Sequence, residues 1–248
     1  MSKLPTAKAA LGGSHSRPVA ARPITHDPEQ QAILQTVIGL APLLAEALRP
    51  GTEILIHDFS KLPNSVVAIE GNISGRSVGS PITGLLLRWV KAGRYEHRFG
   101  YAGRLADGRP VRSSTIFIRD PAGNTLGSLC INMDISGLTN AHQAIEERIR
   151  VNQAPGKAAT LDVSAASRDD QEPEQFPLTI DELARSLVEE AILSTEVEPA
   201  LMQKSEKLSV VAYLEKRGYF MMRDSVEALA ERLSVSRHTI YNYLSELQ

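Results

Sequence analysis

Seven residues close to the C-terminus have the side-chain types and the spacing needed to contact nucleic acid. Arginine can donate two hydrogen bonds to guanine and asparagine can pair with adenine, while a serine hydroxyl and the free N–H groups of a helix start can hold a phosphate. On a helix, most of these side chains would point away from the apolar face formed by Ile240 and Tyr243. The candidate DNA contacts are Ser236, Arg237, His238, Thr239, Tyr241, Asn242 and Ser245.

A second group of polar residues lies in the N-terminal half, between a predicted strand and a predicted helix. Arg76 could bind a carboxylate through two parallel hydrogen bonds, and a helix start near Thr83 would add a favourable dipole. Asn132, on a later strand, could supply another polar group. The ligand-binding candidates are Ser74, Gly75, Arg76, Thr83 and Asn132. The alternative is a structural turn in which Arg76 pairs with Asp58 or Glu70.

The chain lacks the residue patterns of a catalytic or metal-binding site. Cys130 is the only cysteine, which excludes an internal disulfide and a site built from several thiolates, and which fits the reducing cytoplasm. The six histidines show no paired ligand spacing, and the adjacent His57 and Asp58 would point to opposite faces of a strand. We therefore expect a protein that is not an enzyme, with no catalytic residues, no metal and no cofactor.

The composition is that of a folded cytoplasmic protein. Hydrophobic residues make up 42% of the 248 residues and charged residues 23%, as in a typical globular chain. We expect no membrane contact, because no window approaches the roughly 18 continuous apolar residues that span a bilayer. The net charge is −2, so any contact with nucleic acid would need a local surface.

The second polar group must be positioned by an α+β domain. Hydrophobic periodicity predicts, in order, a helix over 28–48, strands over 52–59 and 65–70, a helix over 81–91, strands over about 96–105, 111–118 and 125–135, and a helix over 138–151. Consecutive strands joined by short turns predict an antiparallel sheet flanked by helices. Polar and apolar residues alternate on the last strand, which predicts a half-covered antiparallel sheet, and the closing helix can cover one face.

Changes in composition divide the chain into four parts. Residues 1–27 are basic and rich in proline, which predicts a disordered arm. Residues 28–151 form the predicted α+β domain. Residues 152–177 are acidic and have no periodicity, which predicts a flexible linker. The periodicity of residues 178–248 predicts an all-helical domain, which begins with amphipathic helices over 180–193 and 204–216.

The last two helices of that domain predict a helix-turn-helix over 224–247. The first, capped by Asp224 or Ser225, and the second each present one apolar face, and only three residues separate them, so the two helices must cross steeply. Ser234 takes the turn position where glycine is usual, and it must therefore adopt a less comfortable backbone conformation. The two apolar faces comprise Val226, Leu229, Ala230 and Leu233, then Ile240, Tyr243, Leu244 and Leu247.

Several segments resemble the YheO-like regulators, a family in which a PAS-like domain precedes a helix-turn-helix. The C-terminal segments are 213–220 (YLEKRGYF) and 236–244 (SRHTIYNYL), and the N-terminal ones are 55–58 (LIHD), 65–69 (SVVAI) and 72–83 (NISGRSVGSPIT). The resemblance covers about 28–151 and 178–247. The sequence departs from the family pattern at Ser234, at Gly84 and in the long acidic linker. The resemblance implies a PAS-type sensory domain and a transcriptional regulator that responds to an amino acid or a similar metabolite.

Two functions of different classes remain open at this point. The favoured hypothesis is a DNA-binding transcriptional regulator that acts as a homodimer, because one recognition helix alone buries too little surface for tight binding. The alternative is a ligand-binding signalling module or enzyme whose terminal helical hairpin docks to a protein partner.

Overall fold

The computed structural model describes residues 25–149 and 174–247. The first range contains α1 (Pro28–Ala47), β1 (Thr52–Asp58), β2 (Val66–Glu70), α2 (Gly84–Lys91), β3 (Arg98–Arg104), β4 (Pro110–Arg119), β5 (Thr125–Asp134) and α3 (Ser136–Ile149). The second contains β6 (Glu174–Gln175), α4 (Ile180–Leu193), α5 (Lys204–Lys216), α6 (Ser225–Arg232) and α7 (Arg237–Glu246). The order of elements matches the prediction except for β6, which the sequence analysis does not predict. Residues 1–24 of the predicted arm and 152–173 of the predicted linker lie outside the described residues.

The sheet has six strands in the order β2-β1-β5-β4-β3-β6. The first five pair antiparallel, as expected, whereas β6 pairs parallel with β3, so the sheet is mixed. Residues 174–177 fell in the predicted flexible linker, and this part of the prediction is wrong. Glu174 and Phe176 are buried, and Phe176 packs with Leu105 and Val111. A two-residue strand has no periodicity to detect, which explains the error.

Helix α1 covers one face of the sheet. Asp27 caps it by accepting a hydrogen bond of 2.9 Å from the Gln30 backbone N–H, and the Gln30 side chain accepts in return from the Asp27 N–H. His26, at the end of the predicted arm, lies 2.9 Å from the Asp58 carboxylate. The apolar cluster under α1 comprises Leu34, Ala41, Ala45, Ile54, Ile56, Ile118, Leu126 and Leu129.

The other face of the sheet is also covered, so the expectation of a half-covered sheet is wrong. Helix α2 and the C-terminal helices supply the cover, and Leu55, Leu86 and Cys130 belong to one cluster of buried side chains. Helix α3 buries none of its side chains, so it does not take the covering role that its position suggested. None of the described helices is long and apolar enough to cross a bilayer.

The four C-terminal helices pack against α2 through the same cluster. Leu87 of α2, Leu187 of α4 and Leu214 of α5 are buried members, as are Leu229 of α6 and Ile240 of α7. The apolar side chains of α4 and α5 therefore pack against both the helix-turn-helix and the sheet domain. The two units are joined by a continuous apolar contact within the part of the chain that the structure describes.

Candidate functional site

Helices α6 and α7 form the predicted helix-turn-helix. Leu229, Leu233 and Ile240 are fully buried between them and the rest of the cluster, and Ala230 is nearly so. The backbone N–H of Val235 donates to the Ala230 carbonyl at 2.9 Å, which closes the turn. Small and apolar residues at these positions let the two helices cross at close range. The pattern predicted this arrangement correctly.

The turn between α6 and α7 has the backbone strain that the sequence predicted. Ser234 has φ +51, in the left-handed region that favours glycine. Its N–H donates to the Glu231 carbonyl at 3.1 Å. Asp224 also has φ +58, and its side chain makes no cap hydrogen bond to α6, contrary to the expected capping role.

The start of α7 is capped by Ser236. Its Oγ accepts a hydrogen bond of 3.1 Å from the Thr239 N–H and lies 2.9 Å from Thr239 Oγ1. The hydroxyl expected to hold a phosphate is therefore already engaged in the cap. The outward face of α7 is open: His238 and Asn242 are exposed, and Tyr241 is 43% exposed.

The opposite face of α7 holds it on the protein. Ile240 is fully buried and Tyr243 is 7% exposed, while Leu247 is 40% exposed and lies at the edge of the apolar face. Ser245 donates its hydroxyl to the Tyr241 carbonyl at 3.0 Å, so this candidate contact bonds to its own helix. Six of the seven candidate DNA contacts are exposed, and Thr239 is half-buried.

Arg237 has a partner that the sequence did not reveal. Its Nη1 lies 2.9 Å from Glu227 Oε1 on α6, and both side chains are about half exposed or more. The Glu227 hydrogen bond raises the pKa of Arg237, and the same bond lowers the pKa of Glu227. Ten residues separate the two, so no helical spacing links them in the sequence. The recognition helix therefore carries an acidic neighbour beside its arginine.

The candidate ligand residues of the PAS-like unit gather around two buried carboxylates. Ser74 donates its hydroxyl to Glu53 Oε1 at 2.8 Å and its N–H to Glu53 Oε2 at 3.1 Å. Asn132 Nδ2 donates to the same carboxylate at 3.4 Å, and Asn132 Oδ1 accepts from the Ser113 hydroxyl at 3.0 Å. Glu53 is fully buried on β1, and the sequence analysis missed it.

The second carboxylate belongs to Glu174. Thr83 Oγ1 donates to Glu174 Oε1 at 2.7 Å, and Thr83 also caps α2 by accepting from the Leu86 N–H at 3.3 Å. Helix α2 thus begins at Gly84 and not at Pro81 as predicted, because the cap residue stays extended.

Arg76 lies in the same interior and is only 6% exposed. It forms no ion pair with Asp58 or Glu70, so the alternative pairing is wrong, and its Nη2 donates to the Pro81 carbonyl. Burial lowers the pKa of Arg76, and the charge of Glu174 opposes that effect. Gly75 supplies the turn before it with φ +73 and is exposed.

Hydroxyl and thiol groups line the sheet beside these charges. Tyr101 OH lies 2.8 Å from Thr115 Oγ1, which is 3.4 Å from Cys130 Sγ. Burial raises the pKa of Cys130 to about 11, so the thiol stays protonated and packed, as expected. No cluster of metal-ligating side chains occurs within residues 25–149 and 174–247.

A cleft of about 520 Å³ opens next to this interior, between α2, β3, β6 and α4. Glu174 and Phe176 line it together with Arg88, Arg104 and Glu182, whereas none of the five candidate ligand residues does. The segment containing β6 supplies one of its walls.

Comparison with known proteins assigns both units. A family model described as a YheO-like PAS domain matches residues 28–150, and a model described as an HTH domain matches residues 183–245. The uncharacterized protein YheO of Escherichia coli is 26% identical over 220 residues, covering 87% of this chain and 85% of that protein. The transcriptional regulator DauR of Pseudomonas aeruginosa is 26% identical over 222 residues, covering 89% of this chain and 97% of that protein.

An uncharacterized protein of Haemophilus influenzae is 25% identical over 222 residues, covering 89% of this chain and 93% of that protein. The relatives thus span nearly the same length as this chain. The two family models match in the order and at the positions of the sheet domain and the helix-turn-helix described above. The chain therefore belongs to the YheO-like family, in which a PAS domain precedes a helix-turn-helix domain.

Proposed function

We propose that the protein is a cytoplasmic transcriptional regulator that binds double-stranded DNA through α7 and senses a small metabolite in its PAS domain. The observation that carries the DNA-binding part is the outward face of α7. His238 and Asn242 are exposed, while Ile240 and Tyr243 anchor the opposite face. A recognition helix needs this combination of a polar face open to the groove and an apolar face held by the protein. The relative named as a transcriptional regulator supports the same conclusion.

The proposed DNA contacts divide by chemistry. Arg237 and Asn242 suit base edges, because their side chains can make paired hydrogen bonds to guanine and adenine. The N-terminus of α7 suits a phosphate, because the first backbone N–H groups of a helix lack carbonyl partners within the helix. The full proposed set is Ser236, Arg237, His238, Thr239, Tyr241, Asn242 and Ser245.

We propose that the PAS domain binds its effector in the polar interior. Arg76 and Thr83 offer a guanidinium and a helix start to a carboxylate, and the adjoining cleft offers room for the remainder of a small molecule. The proposed set is Ser74, Gly75, Arg76, Thr83 and Asn132. The family resemblance suggests an amino acid or a similar metabolite, and neither unit is proposed to act as an enzyme.

We further propose that the protein pairs as a homodimer. Two recognition helices are needed to bury enough surface for tight operator binding. Apolar side chains on α1 and α3 support pairing through the PAS domain, since Leu43, Leu138 and Ile145 are each more than half exposed. Sedimentation equilibrium of the full chain tests this, and a monomer at micromolar concentration would contradict it.

The DNA-binding proposal is tested with genomic fragments selected by the full-length protein. We expect Arg237→Ala and Asn242→Ala each to lower affinity for a selected fragment by about tenfold to a hundredfold, with little loss on random duplex. Arg49→Ala is the matched control, because Arg49 is an exposed arginine after the end of α1, outside the helix-turn-helix.

Equal losses on selected and random DNA would contradict base reading by these two residues. The competing hypothesis, a hairpin that docks to a protein, predicts no binding of either DNA at low salt. Electrostatic contact with phosphates weakens steeply as salt rises, so a salt-insensitive shift would also count against the regulator.

A further inference from the structure

The side chain of Glu174 enters the interior of the PAS domain from outside the family-matched PAS segment. Glu174 lies beside Gly103 where β6 pairs with β3, and it is only 4% exposed. Its Oε1 accepts the hydrogen bond of 2.7 Å from Thr83 Oγ1. A residue that follows the PAS domain in sequence thus supplies a carboxylate to that domain's polar interior.

The groups around this carboxylate are those that a carboxylate ligand would need. Arg76 is 6% exposed, and its Nε has no hydrogen-bond partner among the described residues. Thr83 caps α2, so the helix start adds its positive dipole end to the same place. Burial raises the pKa of Glu174, and the Thr83 hydrogen bond and the Arg76 charge oppose the rise. The site is therefore built for a negative group and holds one from its own chain.

The strand pairing that brings Glu174 into the site is short. Strand β6 has two residues, and two residue pairs form its ladder with β3. Glu174 Oε2 makes no hydrogen bond to a described residue, although it is buried. Short strands and unsatisfied buried oxygens both lower the free energy needed to detach a segment. A competitor for this position would need to replace the Thr83 hydrogen bond, and release of β6 would also uncover Phe176, which is buried with Leu105 and Val111.

The space next to Glu174 would accommodate a larger molecule. The cleft of about 520 Å³ has Glu174 in its wall and continues along α2 and α4 past Arg88 and Glu182. A ligand whose carboxylate replaced that of Glu174 would therefore extend into a cavity that already exists.

We propose that Glu174 is the internal occupant of a carboxylate-binding site, and that a small-molecule carboxylate takes its place beside Arg76 and Thr83 and releases β6 from β3. This inference rests on the proposed sensory role of the PAS domain and specifies its ligand class and its mode of response. The release would reach the helix-turn-helix through α4, which begins five residues after β6 and packs on α5.

The test uses acetate as the smallest carboxylate and full-length protein. Glu174→Ala empties the site, so sodium acetate is expected to raise its unfolding temperature in a saturable way relative to sodium chloride of equal ionic strength. Half-saturation is expected at an acetate concentration about a hundredfold lower than in wild type, because the tethered competitor is gone. Glu198→Ala, which removes an exposed carboxylate outside the cleft, is the matched control and should behave as wild type.

The effect of acetate must depend on Arg76. The double variant Glu174→Ala with Arg76→Met is expected to lose the saturable response. If Glu174→Ala does not fold, Glu174→Gln serves instead, because a neutral amide is displaced more easily than a carboxylate and should also respond below the wild-type concentration. An acetate response equal to that of wild type in the folded variant would overturn the proposal.

Release of β6 has its own measurement. Hydrogen exchange of peptides covering 103–105 and 174–176 should be faster in Glu174→Ala than in Glu198→Ala, and unchanged exchange would overturn that part of the proposal. Neither experiment includes DNA, so failure of the regulator proposal would leave these results intact, and failure here would leave DNA binding untouched.

Discussion

Lys91 Nζ, on the last residue of α2, lies 2.7 Å from Glu215 Oε1 of α5. The turn after α5 also packs on α2, since a Cβ at Gly218 would lie 3.2 Å from Leu87. At its other end, α2 begins after Thr83, which binds Glu174. Because α5 packs on α7, α2 connects the polar interior of the PAS domain to the helices that support the recognition helix.

Glu227 beside Arg237 is expected to restrain DNA binding. Glu227→Gln releases the Arg237 guanidinium and removes a negative charge that would repel the DNA phosphates. Affinity for DNA should therefore rise about two- to fivefold. Fluorescence anisotropy on a fixed duplex measures the change. Glu231→Gln removes a charge from the same helix without touching Arg237, and an equal rise in that variant would show that the ion pair has no special role.

Ser234→Gly is expected to stabilise the protein. The left-handed backbone at φ +51 has a higher free energy for a residue with a Cβ than for glycine. Relief of this strain outweighs the greater conformational freedom that glycine gives to the unfolded chain. We expect the free energy of unfolding to rise by about 0.5–1 kcal/mol, measured by urea denaturation. Ser234→Ala keeps the Cβ and should gain nothing. A glycine variant no more stable than the alanine variant would contradict strain at this turn.

Gly103→Ala is expected to disturb the docking of β6. A Cβ at this position would lie 3.0 Å from the Phe176 ring and 3.2 Å from Ser113 Oγ. Overpacking of this kind costs about 1–3 kcal/mol in the free energy of unfolding. Gly137→Ala is the control, because nothing lies within 4 Å of a Cβ there.

The Phe176 ring can be tested separately. In a Phe176→Ala background, Gly103→Ala should cost clearly less than it does alone, because the clashing ring is gone. An undiminished cost would place the strain at Ser113 instead.

The sequence predicted those elements whose causes are local. The strain at Ser234 and the exposed face of α7 follow from residue type and from spacing within a few positions. Burial of Ile240 followed in the same way, since helical periodicity already separates the faces.

The carboxylates that organise the sites could not be predicted in this way. Glu53 bonds to Ser74 across 21 residues and Glu174 to Thr83 across 91, so the contacts depend on the register of the assembled sheet. Buried glutamates are rare, and a sequence pattern places them on the surface by default. The expectation of a half-covered sheet failed for a related reason: the C-terminal helices that cover the second face together with α2 come after residue 178, beyond the limits of the predicted domain.

His57 is expected to make stability depend on pH. It is buried on β1 with Nδ1 2.8 Å from Ser65 Oγ, and burial, with a smaller contribution from the Arg76 charge, holds its pKa well below 6.5. Well above pH 6.5 the side chain is neutral in both states and contributes no slope. Below pH 6.5 the unfolded chain binds a proton at His57 that the folded protein does not. The free energy of unfolding should therefore fall by up to about 1.4 kcal/mol per pH unit until folded His57 protonates.

The measurement is the pH dependence of urea unfolding in wild type and in His57→Gln. Glu174 acts in the opposite direction, because its raised pKa lets the folded protein bind a proton first as the pH falls, so only the difference between the two proteins isolates His57. The wild-type slope between pH 6.5 and 5 should exceed that of His57→Gln. Parallel curves for wild type and His57→Gln would mean that His57 takes up its proton in the folded state as readily as in the unfolded chain.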